Sequence, residues 1–194
     1  AGATREDQQA VDAGGVLLHA ALWSSFHSLS AGAALPWWWD THIEANNLYS
    51  HFAALSRYAA GEDRRGRHFR MVTAQVSGPE DEALVVQGLL DSAGGLLWVY
   101  EPELLRFPRV SSLPKVKAGT VLVLRALLDG RYEIEYWDTR SGQVIAREPV
   151  ECRQGRLRLS LPAFAADLAV KVRFTGVATP EVEGTRRGVT GERP

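Results

Sequence analysis

Trp37, Trp38, Trp39 and Asp40 place three indoles and a carboxylate side by side. An indole offers a broad apolar face and one N–H donor, which suits the apolar face of a pyranose ring with a hydroxyl at its edge. Asp40 is able to orient such an indole or a sugar hydroxyl, or simply to cap the loop that follows. In an extended segment side chains alternate, so Trp37 and Trp39 point one way and Trp38 the other, and all three cannot line one pocket. The competing reading is packing, with all three indoles filling the layer between a strand and its helices.

Other reactive side chains form no recognisable motif. Asp40 and Glu44 are two acids in one loop, but Glu44 sits on no defined element, and no catalytic residue is assigned. His42 and His51 are nine residues apart, which matches no short metal motif, and a polar loop and a helix surface are expected to carry them. His19 and His27, eight apart, fall close to one face of a helix with no acid nearby in sequence, and are expected to pack or face solvent. Cys152 is the only cysteine, so no intrachain disulfide and no thiol metal cluster is possible. Neither a metal nor another cofactor is expected.

The elements that position these groups change character along the chain. Leu18, Leu22, Phe26 and Leu29 recur at spacings of four, four and three, which predicts a helix within Asp12–Leu29, with Asp12 as its N-cap. Ala33-Ala34-Leu35-Pro36-Trp37-Trp38-Trp39 is apolar at nearly every position, as in a strand buried on both faces, although Pro36 counts against a central strand. Asp40–Asn47 reads as a loop, and Leu48, Phe52, Leu55 and Tyr58 mark a second helix ending near Gly61.

Beyond Gly61-Glu62-Asp63-Arg64-Arg65-Gly66 the period changes from helical to alternating. Strands are expected at Phe69–Ser77, Ala83–Leu90, Leu96–Tyr100, Val121–Leu128, Arg131–Trp137, Gln143–Val150, Arg156–Leu161 and Leu168–Phe174. Turn chemistry separates them, as at Asp129-Gly130 and Ser141-Gly142. Eight short strands of this kind suggest an antiparallel sandwich or jelly roll. Tyr132, Ile134 and Tyr136 share a core face, and Trp137 falls on the other as a rim or interface residue. The tail, 175–194, has no apolar period and is expected to be disordered.

Composition narrows the function classes. Charged residues are 23 % of the 194 and the net charge is −1, so the electrostatic footprint of a nucleic-acid or anionic-membrane binder is absent and neither partner is expected. The basic run Arg64-Arg65-Gly66-Arg67-His68 is expected to be a solvated linker. No stretch approaches the roughly 18 apolar residues of a membrane-spanning helix. The compartment is left open.

The runs Leu18-His19-Ala20-Ala21-Leu22-Trp23-Ser24-Ser25, Ala31–Asp40 and Asn46-Asn47-Leu48-Tyr49-Ser50-His51-Phe52 resemble the end of clan A glycoside hydrolases, most closely family 5 enzymes of the cellulase or mannanase kind. Arg131–Gly142 and Leu161–Val170 look like closing strands of the sandwich that follows the barrel in such enzymes. The resemblance implies an α+β chain: the last helix–strand–helix of a (β/α)8 barrel at 1–62, a linker at 63–68, a jelly-roll-like sandwich at 69–174 and the tail. It implies a parent enzyme that hydrolyses β-linked glycans with retention, using two glutamates about 5–5.5 Å apart. Neither matches a position in this sequence, so the chain alone is expected to be inactive. Trp37, Trp38, Trp39 and Asp40 would then lie at the substrate end of the eighth barrel strand. Alternatives are a non-catalytic carbohydrate-binding module and a purely structural one. A lone barrel strand exposes both edges, so the amino-terminal third on its own is expected to be loosely held or to drive self-association through that strand.

Overall fold

A computed structural model of the chain describes residues 12–34, 38–77, 83–106 and 116–177. It is an α+β structure. Helix α1 (Val16–Phe26) and helix α2 (Tyr49–Ala59) flank a π-helical turn, Trp39–Ile43. Then follow β1 (Arg70–Ser77), β2 (Ala83–Asp91), β3 (Gly94–Tyr100), a 3-10 turn (Pro102–Arg106), β4 (Val116–Lys117), β5 (Val121–Arg125), β6 (Gly130–Asp138), β7 (Gln143–Cys152), β8 (Arg156–Ser160), β9 (Phe164–Ala165) and β10 (Asp167–Gly176).

All eight strands expected from alternation form, with shifts of a few residues at their ends; β4 and β9, two residues each, carry no periodic signal. Six strands make one antiparallel sheet in the order β1-β2-β3-β10-β6-β7, while β5 pairs with β8 and β4 with β9. The carboxyl-terminal strand β10 is thus central, between β3 and β6.

Both faces of the sheet centre are covered. On one, Leu97, Val99, Ile134, Tyr136, Val170 and Val172 meet Leu122 and Leu124 of β5 and Leu157 and Leu159 of β8 in a single apolar core. On the other, Leu96, Trp98, Tyr100 and Ala169 pack against Leu18, Leu22, Trp23, Leu55 and Tyr58 of the helices. Tyr132, Ile134 and Tyr136 are buried as their alternation requires, and Trp137 turns to the helical side, its ring 5.4 Å from that of Tyr58.

Several expectations are corrected here. The anticipated strand 33–39 is not formed at its described ends: Ala33 and Ala34 have no regular structure and Trp39 opens the π-helical turn, while Leu35, Pro36 and Trp37 lie outside the described residues. Alternation of the indoles therefore does not apply to Trp38 and Trp39. The two described helices do not stand apart from the strands: they share a core with the sheet. Leu29 falls beyond α1 and is 66 % exposed. The basic segment after Gly61 is tied down by Arg67, whose guanidinium donates to both Asp91 oxygens.

The β6–β7 hairpin locks the two layers together. Its turn closes through Gly142 N–H to Asp138 O at 2.9 Å and Ser141 N–H to Asp138 Oδ1 at 2.6 Å. Gly142 sits at φ 63° with α2 against it: a Cβ there would come within 2.4 Å of Ala54 O. Arg57 of α2 donates to Ser141 O at 2.8 Å.

Candidate functional site: an exposed aromatic turn on a buried polar base

Trp38 is half-buried, Trp39 is 61 % exposed and Asp40 is exposed. The backbone explains this presentation. Ile43 N–H donates to Trp38 O and Glu44 N–H to Trp39 O, five residues back in each case. That π-type spacing widens the turn, a distortion often found at functional positions. His42 and Ile43 at the end of the same turn are buried and anchor it while Trp39 faces out.

The anchor is polar. Asp12 Oδ1 accepts from Val16 N–H at 2.6 Å and Oδ2 from Leu17 N–H at 3.1 Å, so its carboxylate holds the first amides of α1, but from outside the helix: the N-cap position expected of Asp12 is taken by Gly15. His42 Nε2 lies 3.6 Å from Asp12 Oδ2, tying the turn to the start of that helix. Burial raises the Asp12 carboxyl above its ordinary range, against the lowering pull of the Val16 and Leu17 amides and of His42. Asn46 Nδ2 donates to His42 O at 2.9 Å and secures the turn's far side.

A second set of polar groups lies deeper, between helices and sheet. His19 Nε2 is 2.7 Å from Asp167 Oδ2, and the Trp98 indole N–H donates to the same oxygen at 2.7 Å. His19 Nδ1 is 3.3 Å from His51 Nδ1, and His51 Nε2 is 3.1 Å from Gly14 O. Satisfying all three imidazole contacts takes three ring protons on two rings, hence one positive charge, which Asp167 balances. Burial pushes Asp167 up, but the His19 and Trp98 hydrogen bonds and the charges of His19 and Arg140 outweigh it, and the carboxyl is held below its usual range. Burial, then the charge of His19, lowers His51 to about 4.

Beside this set, His27 Nδ1–H donates to Trp23 O at 2.8 Å, leaving Nε2 to accept from Tyr58 OH at 3.1 Å; burial drops His27 to about 3. Lys171, 2 % exposed, sits 4.7 Å and 4.6 Å from the rings of Tyr58 and Trp137 and pairs with Glu62 at 2.7 Å. These are sites of cohesion: each charge is paired, and the histidines are closed off from solvent.

Of the residues expected at a site, Trp38, Trp39 and Asp40 share one turn, and Trp37 lies outside the described residues. His42 and His51, expected on a surface, are both buried, and His19 does have an acid, Asp167, 148 residues away. No window of sequence shows that pairing. One signal was available: β3 is apolar throughout from Gly94 to Tyr100 and buried at every position, which demands a covering layer on each face of the sheet.

Among the described residues no group of three or more His, Cys, Asp or Glu side chains could hold a metal ion, and no helix is long and apolar enough to cross a membrane. Fold and site define an α+β protein whose antiparallel sheet carries a helical layer that presents an aromatic turn to solvent. No protein-family model and no curated protein matches the chain.

Proposed function

We propose that this chain is the carboxyl-terminal portion of a glycoside hydrolase acting on β-linked glycans, supplying an aromatic sugar subsite and a structural β-sandwich but neither catalytic glutamate. The observation that carries this reading is the exposure of Trp39 beside Trp38 and Asp40 on an anchored π-helical turn. An indole 61 % exposed leaves most of its surface in water, and it offers a pyranose ring a flat apolar face with a carboxylate adjacent to orient a hydroxyl. Trp37 belongs to the same subsite on the sequence resemblance alone. The apolar core between the six-stranded sheet and β5–β8 supports the jelly-roll-like reading of the strands. The (β/α)8-barrel reading of the first third rests on the resemblance and on the helices α1 and α2.

A second reading, a non-catalytic carbohydrate-binding or structural module, draws on the shared core of helices and sheet, through which α1 and α2 are covered without further barrel units. Affinity electrophoresis of the 194-residue chain in gels containing hydroxyethylcellulose or galactomannan tests the sugar-binding part. Retardation that Trp39→Ala removes is expected, with no release of reducing sugar. No retardation on any β-linked polymer would leave only the structural role. Hydrolysis at an enzyme-like rate would overturn the assignment of catalysis to residues elsewhere.

A further inference from the structure

On the face of the sheet opposite the helices, two strands with open edges border a solvent-accessible cleft of about 510 Å³. β1 ends the six-stranded sheet and β5 is half of a two-stranded one, so each is paired on one side only. Val72 and Val76 of β1 and Val86 and Leu90 of β2 form the floor of the cleft, and β5 lines its wall along the whole of Val121–Arg125. Among the described residues no backbone hydrogen bond joins β1 to β5. Natural proteins cover or blunt such edges, because their free N–H and C=O groups are a template for another strand.

Arg70 measures the gap. Its Nη2 donates to Arg125 O at 3.2 Å, so one side chain reaches across from β1 and takes a carbonyl that a neighbouring strand would otherwise take. Thr120 O, one position before β5, accepts instead from Leu161 N–H on the β8 side at 2.9 Å. Backbone groups alternate in direction along a strand, so Val121 and Val123 present theirs to the cleft as Arg125 does, while Leu122 and Leu124 face their partners on β8.

The outer face of β5 and β8 is basic. Val123, Arg125, Arg156 and Arg158 are exposed there, with Arg125 directly opposite Arg156 and Val123 opposite Arg158. Like charges in opposed positions destabilise a sheet, and none of the three arginines has an ion-pair partner among the described residues.

We propose that the free edge of β5 takes up an extended segment of another protein, apolar at alternate positions and acidic at the positions between. The segment's backbone bonds to the outward groups of Val121, Val123 and Arg125, five residues of β5 offering about 17 Å of edge. Its apolar side chains fall on the inner face, over the valines of the floor, and its acidic ones on the outer face beside Arg125. A lipid tail fills the floor but leaves the strand edge unpaired. A basic segment meets the arginines, and a second copy paired β5 to β5 sets arginine against arginine.

The test titrates the ¹⁵N-labelled 194-residue chain with a blocked hexapeptide of alternating glutamate and valine, with the lysine–valine counterpart as the charge control. Saturable shifts of the Val121, Val123 and Arg125 amides with the glutamate peptide, and slowed hydrogen exchange at Val123, are expected. Arg125→Glu, which sets an acid opposite Arg156, should weaken that binding about threefold or more. Val123→Pro removes an N–H that the fold itself leaves free and should abolish it. Unmoved β5 amides at millimolar glutamate peptide would overturn the proposal. Equal binding of the lysine peptide would overturn it too, as would a dimer in sedimentation equilibrium that protects the same amides, since the occupant would then be a second copy.

Discussion

His19 on α1 and Asp167 at the start of β10 meet at 2.7 Å with both side chains fully buried. Through this pair, and the Trp98 indole that shares its acceptor, the helical layer is bonded to the centre of the sheet. A buried ion pair is weak evidence for net stability, but removing one partner strands the other.

Asp167→Ala leaves the His19 imidazole and the Trp98 N–H without their acceptor in a site closed to water. The expected cost is about 3–5 kcal/mol, measured by urea denaturation. A change below about 1 kcal/mol would mean that the two layers are not coupled through this carboxylate.

Acid should loosen the same interface, and the sign follows from its histidines. His27 at about 3 and His51 at about 4 lie below the ordinary 6.5 that each regains on unfolding. From pH 6.5 down to about 4 the unfolded chain therefore binds protons that the folded chain refuses, and stability falls by about 1.4 kcal/mol per pH unit for each histidine. Asp167, held low, adds its loss only further down, as pH falls below the unfolded carboxylate range. Asp12, held high, works in the opposite direction. Denaturation midpoints should decline steadily between pH 6.5 and 4.5 in wild type and about half as steeply in His51→Gln; a flat profile would contradict the burial of both neutral rings.

Gly142 is the point where the hairpin touches α2. An alanine there would need a left-handed backbone and would place its Cβ 2.4 Å from Ala54 O, so Gly142→Ala should cost at least about 2 kcal/mol. Gly32, whose added Cβ would meet nothing within 4 Å, serves as the control, with Gly32→Ala expected within about 0.5 kcal/mol of wild type. Thermal unfolding of the two variants side by side checks the contrast.

The strands were legible because period-two alternation and glycine turns are local properties, and so were the two helices, from Leu18 and Leu22 in one and Leu55 and Tyr58 in the other. What sequence hid is relational. A run as apolar as Ala33–Trp39 reads equally as a buried strand or as a surface aromatic cluster, and the π-helical turn at Trp39–Ile43 depends on His42 and Ile43 finding a buried seat. The histidines looked peripheral because their partners, Asp167 for His19 and Asp12 for His42, come from other elements. Lys171, flanked by Val170 and Val172, was the visible hint that β10 meets more than apolar packing on its helical side.

If the Trp38–Asp40 turn carries sugar as proposed, the Trp39 indole signal of the ¹⁵N-labelled chain responds during titration with cello- and manno-oligosaccharides. A saturable shift of Trp39 by at least one β-linked oligosaccharide, abolished with the fold intact by Asp40→Ala or by Trp38→Ala, is the expected result. An unmoved Trp39 with every β-linked oligosaccharide, in a chain whose remaining spectrum is that of the folded protein, would contradict it.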